Sequence, residues 1–245
     1  MGWRTGAGGP RRLGNVIECA VWWATPLPNE ARYLALLDDL ERGRHRAYRQ
    51  EIDQRRFLTG RVLAKTVAGE LLGRPPGEVA FDATCDDCGK PHGRPRVPGA
   101  GFELSISHSG DRIGVAATSG APVGLDVETA TRRADDSLIA YALNETERGS
   151  LAGLSEADRV AAFFRFWTGK EALMKATGRG LKIPLRSVTL AGPGEPARLV
   201  ASNDPALDPD GARLADLDPG EGYRAAVAVL ADEDLKVTER WWTAG

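Results

Sequence analysis

The sequence predicts an α+β fold, and three stretches carry that prediction. Residues 161–176 bring Phe163, Phe166, Trp167, Leu173 and Met174 round at helical spacing, the mark of a helix packed on a core. Val123, Leu125 and Val127 alternate with Gly124, Asp126 and Glu128, the period of a strand with two different faces. Leu104 and Ile106 alternate with serines up to a Ser109-Gly110-Asp111 turn followed by a second apolar run, which reads as a hairpin.

Taken along the chain, residues 1–14 are rich in Gly and Arg with few apolar groups, so they cannot offset the entropy of ordering and are expected to be a disordered tail. An opening strand runs from Val16 to Trp22, and helices follow through Gly69 to Leu72. The hairpin puts His108 at its mouth, and the acidic strand comes next. Asn144-Glu145-Thr146-Glu147 reads as a helix start with Asn or Thr as the cap. Helices are expected around Ala140 and Phe164, and late strands near Val188 and Val227. The Pro-, Gly- and Asp-rich stretch 192–222 matches no motif. This organisation divides the chain into a tail (1–14), a first half (15–123) and a second half (124–245).

At 245 residues and 42% hydrophobic content, the chain can bury a substantial core as one large domain or two linked halves. Its formal net charge of −2 argues against a general nucleic-acid binder, which would carry a strongly basic footprint. No segment approaches the ~20 apolar residues of a membrane span, and residues 1–14 lack the apolar centre of a signal peptide. A cytoplasmic monomer, bound to neither membrane nor nucleic acid, is the expectation. Cysteine usage agrees: Cys19, Cys85 and Cys88 are an odd set suited to a reducing compartment. Cys85-Asp86-Asp87-Cys88 followed by His92 has the form of half a zinc site, which only Cys19, His45 or an acid could complete; the competing reading is a loop with two ordinary thiols.

The chemistry concentrates in three places. Glu171 and Lys175 stand at i,i+4 in the apolar helix and share a face. An ammonium and a carboxylate in such surroundings cost several kcal/mol unless a partner or ligand compensates; a simple helix-stabilising ion pair is the bland reading. Asp126 and Glu128 share one face of their strand, about 7 Å apart at a rise of ~3.3 Å per residue. They repel unless a cation lies between them. Hard oxygen ligands on a strand, with a third carboxylate from Glu171, suit Mg²⁺, which shares its shell with substrate phosphates; two solvated acids on a surface strand are the alternative. His108, among small hydroxyls at a strand end, can donate to a phosphate or can be a surface turn residue.

In order, Gly93-Arg94-Pro95, Ser107-His108-Ser109, Val123-Gly124-Leu125-Asp126-Val127-Glu128, Trp167-x-x-Lys170-Glu171-Ala172-x-x-x-Lys175 and Gly178-x-Gly180-Leu181 resemble one family, the 4′-phosphopantetheinyl transferases of the Sfp type. Each motif is weak alone; the ordered set is specific. The resemblance runs from about Leu40 to Ala228 and includes Arg56-Phe57-Leu58-Thr59-Gly60-Arg61. It implies a pseudo-dimer of two similar α+β halves with the active site at their interface. The implied reaction moves the phosphopantetheine arm of coenzyme A to a serine of an acyl or peptidyl carrier protein, releasing adenosine 3′,5′-bisphosphate.

Carried over by matching positions, the resemblance makes Asp126, Glu128 and Glu171 the Mg²⁺ ligands, Lys175 the neutraliser of phosphate and Glu171 the base, with a metal-bound water as its rival. It places His108 and the Ser107 backbone on the pyrophosphate. Arg94, with Pro95 after it, stands where the family usually has Gly-Lys-Pro, and Gly89-Lys90-Pro91 competes for that assignment. From the basic run Arg42, Arg44, Arg46, Arg49, Arg55, Arg56 and Arg61, the 3′-phosphate contacts fall near Arg44, Arg46 and Arg56. A carrier of fatty-acid, polyketide or nonribosomal-peptide synthesis is the implied partner, with Leu138–Leu143 and Met174 as candidates to receive it. Two other readings use the same residues: a Mg²⁺-dependent nucleotide phosphohydrolase, and a noncatalytic coenzyme A-binding protein built on Arg94, His108 and Lys175.

Overall fold

The computed structural model describes residues 10–85, 88–90, 93–130 and 134–244. In chain order these form β1 (Arg12–Leu13), β2 (Val16–Ala24), α1 (Ala31–Leu34), α2 (Asp39–Ala47), α3 (Glu51–Leu72), β3 (Glu103–Ser109), β4 (Arg112–Thr118), β5 (Val123–Thr129), α4 (Asp136–Ala142), α5 (Glu145–Ser150), α6 (Glu156–Thr177), β6 (Val188–Leu190), β7 (Leu199–Ser202), β8 (Ala212–Leu217), β9 (Tyr223–Leu230) and β10 (Asp234–Trp241). The fold is α+β.

Three apolar clusters stack the elements into layers. Leu58, Val62, Leu63 and Val67 of α3 pack on Ala20, Trp22, Leu104, Val115 and Ala117 of the first sheet. The opposite face of that sheet, with Ile17, Cys19, Val21 and Trp23, packs on Val123, Leu125 and Val127 of β5 and Ala225, Val227 and Val229 of β9. The far face of the second sheet, with Ala226 and Ala228, meets Phe163, Phe166, Leu173 and Met174 of α6. The order is therefore helix, sheet, sheet, helix. Burial of this kind contributes about 1.5–3 kcal/mol for each large apolar side chain.

The two halves repeat one plan. The first runs strand, short capped helix, long helix, antiparallel pair, with sheet order β2-β4-β3; the second runs in the same sequence, with sheet order β5-β9-β8. Both α3 and α6 have 22 residues and end on a left-handed glycine, Gly73 and Gly178, a conformation that costs a residue without Cβ nothing. Lys65 and Lys170 each stand 14 residues into their helix and are buried. Each pairs with the glutamate of a capping box on the preceding short helix: Lys65 with Glu41 at 2.9 Å, Lys170 with Glu147 at 2.5 Å. Asn144 is the cap of α5, as the sequence suggests.

Several boundaries differ from the sequence reading. Arg12 and Leu13, placed in the disordered tail, pair with Ile17 and Val16 as β1; residues 1–9 lie outside the described part. The division at 123/124 does not hold for the C-terminus, because β10 pairs in parallel with β2, from Asp234 opposite Val16 to Trp241 opposite Trp23. The motif-free stretch 192–222 contains β7 and β8. Met174 is buried, and within Leu138–Leu143 so are Ile139, Ala142 and Leu143, whose apolar groups serve the core, while Leu138 is half-buried and Tyr141 exposed.

Candidate active site

Gly124 brings α6 onto β5. A Cβ there would lie 1.9 Å from the Ala172 carbonyl oxygen and 2.5 Å from the Ala176 nitrogen, so only glycine lets helix and strand backbones meet. That approach carries Glu171 and Lys175 over Asp126. Lys175 Nζ donates to Asp126 Oδ1 at 2.7 Å, to Ser107 Oγ at 3.0 Å and to the Leu125 carbonyl at 3.0 Å. Its three protons are thus committed to protein oxygens. Lys175 thus ties α6 to β5 and holds Asp126, and its ion-pair partner is Asp126, not the i,i+4 neighbour Glu171. Helix periodicity could not show this, because the partner lies on another element.

Asp126 is 5% exposed, and its second oxygen, Oδ2, is buried without a hydrogen-bond partner. Glu128 accepts from Ser109 Oγ at 2.8 Å. Burial first, then the charges of Asp126 and Glu128, raise the Glu171 carboxyl above its ordinary value, with Lys175 opposing. Three carboxylates therefore sense one another. They have not converged to ligand spacing: among the described residues no three acidic, Cys or His groups form a ready metal-binding set. The donors nevertheless fit a hard divalent ion, since an orphaned buried carboxylate oxygen is costly without a partner and oxygen-only donors are what Mg²⁺ takes.

Between α2, α3 and β3 opens a cavity of about 450 Å³, whose wall includes Arg44, Tyr48, Arg56, Arg61, Pro95 and His108. Arg56 is oriented by bonds from Nε to the Gly110 carbonyl at 2.6 Å and from Nη1 to Asp53 at 2.8 Å. Arg61 stacks between the rings of Phe57 (5.4 Å) and Phe81 (5.8 Å). His108 lines the cavity, and Lys175, which holds Asp126, is among the charges that act on its ring. Desolvation, then Lys175 and Arg56, push its pKa below the usual imidazole value, which favours the neutral ring.

Of the residues the sequence singles out for coenzyme A, the cavity wall thus gathers Arg44, Arg56, Pro95 and His108. Arg46 is exposed on α2 and outside that wall, and Arg61 is the third guanidinium in it. Arg44 and Arg46 are two residues apart on α2 and Arg61 lies on α3, so sequence spacing gives no way to choose between them. Arg94 turns from the cavity, pairing with Glu103 and donating to the Ala176 carbonyl at 3.4 Å. The Ser107 hydroxyl is engaged with Asp126 and Lys175, and its backbone lies opposite Gly114 in the β3–β4 register.

The zinc reading loses two of its three completing candidates. Cys19 is wholly buried, with its thiol pushed up to about 12 by desolvation, and His45 Nε2 bonds Asn29 Oδ1 at 3.0 Å. His92, like Pro91 of the competing Gly-Lys-Pro, lies outside the described residues.

A protein named 4′-phosphopantetheinyl transferase HetI, from Nostoc sp., is 34% identical over 215 residues, which are 84% of this chain and 86% of that protein. This chain belongs to the 4′-phosphopantetheinyl transferase superfamily. The superfamily's family model matches residues 122–228, from the residue before β5 into β9, which take in the acidic strand and α6. Two further members show the same relationship to this one. The phosphopantetheinyl transferase of Thraustochytrium sp. is 30% identical over 78% of this chain and 67% of its own length. The 4′-phosphopantetheinyl transferase Sfp of Bacillus subtilis is 28% identical over 69% of this chain and 74% of its own. As a member of this superfamily the chain is an enzyme.

Proposed function

We propose that this protein transfers the 4′-phosphopantetheine group of coenzyme A to a serine of an acyl or peptidyl carrier protein, as a member of the Sfp type. The observation that carries the reading is an arginine-lined cavity bordered by His108 together with three interacting carboxylates on β5 and α6, with Lys175 acting on both His108 and Asp126. Arg44, Arg56 and Arg61 supply the cations for the 3′-phosphate, and the rings of Tyr48 and Phe57 with Ile106 supply flat and apolar surface for the nucleoside. His108 then lies where the pyrophosphate leads toward the acids.

Asp126, Glu128 and Glu171 would hold Mg²⁺, which supplies charge neutralisation on the pyrophosphate oxygens. The carrier serine Oγ forms a bond to the phosphorus nearer the pantetheine. The bridging P–O bond breaks, and adenosine 3′,5′-bisphosphate leaves with that electron pair. Glu171 accepts the serine proton. Without the ion, burial and the neighbouring acids raise its carboxyl above its ordinary value; the bound ion would act in the opposite sense. Lys175 keeps Asp126 oriented throughout.

Both walls of the site come from one chain, which supports a monomer. The net charge of −2 supports a partner other than nucleic acid. No helix among the described residues is long and apolar enough to cross a membrane; coenzyme A and three free cysteines support a cytoplasmic setting.

Intact-mass spectrometry of an apo carrier protein with coenzyme A and Mg²⁺ tests the reading. A mass gain equal to the phosphopantetheine arm, lost with EDTA, is expected. Glu171→Gln should abolish the gain while coenzyme A affinity stays within about tenfold, or about 1.4 kcal/mol. Coenzyme A cleaved with no gain would establish the phosphohydrolase instead, and coenzyme A bound but uncleaved would leave a binding protein.

A further inference from the structure

The contact between β3 and β5 has no backbone ladder. β5 is the edge of its sheet, paired to β9 on one side only, and an edge buried against a neighbour must still satisfy its amides. Side chains do so here. Ser105 Oγ accepts from the Leu125 amide at 2.9 Å, Ser107 Oγ from Val127 at 3.3 Å and Ser109 Oγ from Thr129 at 3.2 Å. The three serines recur at every second residue of β3 and meet every second amide of β5.

A hydroxyl can accept and donate at once, and two of these do. Ser107 donates to Asp126 Oδ1 at 3.1 Å and Ser109 to Glu128 Oε2 at 2.8 Å. Each serine therefore spans one amide of β5 and the side chain of the residue before it. For Ser107 and Ser109 that residue is an acid; for Ser105 it is Gly124, which offers no side chain. One register thus joins the halves and aims both acids.

We propose that Ser107 and Ser109 are positioning residues, whose hydroxyls lock the Asp126 and Glu128 carboxylates to the backbone of β5 so that the seam between the halves sets the geometry of the metal ligands. The proposal rests on the reading of these acids as a metal site. Both hydroxyls are committed to β5 and its acids. Replacing a group that orients a ligand typically costs 10–100-fold in metal affinity, whereas loss of an amide acceptor alone costs stability only.

Ser105 supplies the internal control. Mn²⁺ binding to the whole protein, followed by electron paramagnetic resonance in the absence of coenzyme A, is measured beside thermal unfolding for Ser105→Ala, Ser107→Ala, Ser109→Ala and Ser109→Thr. Ser105→Ala should lower the melting temperature and leave Mn²⁺ affinity unchanged. Ser107→Ala and Ser109→Ala should each weaken Mn²⁺ about tenfold or more, and Ser109→Thr, which keeps the hydroxyl, should restore binding. Ser109 is only partly buried, so its variants read out even if Ser107→Ala fails to fold. Alanine variants at 107 and 109 that bind Mn²⁺ as the parent does, with losses of stability like that of Ser105→Ala, would overturn the proposal. A parent protein that binds no Mn²⁺ would instead overturn the metal reading and the positioning role with it.

Discussion

The lowered pKa of His108 couples ligand binding to pH. Its pKa in the free protein is lowered by desolvation, then by Lys175 and Arg56, with Asp53 alone among the named charges opposing. A phosphate seated beside the ring adds negative charge and raises that pKa. Binding therefore takes up a proton wherever pH lies between the two values, and affinity for coenzyme A should rise as pH falls through that window, by up to tenfold per unit. Below the free-state pKa the ring is already charged and the gain stops. The phosphate monoester loses charge near pH ~6, which acts in the opposite sense, so the comparison with His108→Gln isolates the imidazole. Calorimetry in two buffers of different ionisation enthalpy should show proton uptake by the parent and less by the variant; equal uptake in both would remove His108 from the phosphate site. The acids and the histidine were legible in the sequence because their residue types are chemically expressive. The destination of Lys175 was not, since one lysine on a helix face can reach a substrate or a neighbouring strand, and only the fold places Asp126 and Ser107 within reach.

At the scale of elements, the repeated lysine and capping-box glutamate hold each long helix to the short helix before it. Lys170 Nζ donates to Glu147 and to the carbonyls of Ala142 (2.9 Å) and Leu185 (2.9 Å), and Glu147 Oε1 accepts from the Leu190 amide at 2.9 Å. One buried pair thus gathers α4, α5, α6 and β6. Removing one partner leaves an uncompensated buried charge, so Lys170→Met should cost about 3–5 kcal/mol, read as a lower urea midpoint at unchanged slope. Lys65→Met should cost less, because Arg61 Nε stands 3.9 Å from Glu41 and can take over part of the compensation. Equal losses at the two sites would remove Arg61 from that role. The Asn144 cap could be read directly, since a cap and its N3 glutamate are local in sequence. The pairing of Lys170 could not, although the residue lies inside a motif, because its partners come from 15 to 28 residues away through the fold.

For the molecule as a whole, the repeated plan raises the question of why one seam carries the acids and the other does not. Matching sheet orders make β2 the counterpart of β5 and β8 the counterpart of β3. At the first seam the edge of β5 is met by the serines of β3. At the second, β10 enters beside β2 and pairs with it residue by residue from Val16 to Trp23. Its Glu239 accepts from Trp23 Nε1 at 2.8 Å and from the Asp218 amide, just past β8, at 3.2 Å. A full backbone ladder satisfies the edge of β2 and fills the place a second cleft would occupy. Sequence patterning shows neither the repeat nor this closure: the halves share few residue identities, and β10 joins a strand some 218 residues earlier, a pairing with no local signature. An uncovered strand edge templates association with other chains. Removing residues 232–245 should therefore leave β2 unpaired on that side and drive the protein into oligomers or aggregates, visible by light scattering, with a lower urea midpoint for whatever monomer remains. A truncated chain that stays monomeric at the parent's midpoint would show that β10 is a passive strap, and that something other than the ladder on β2 closes the second seam.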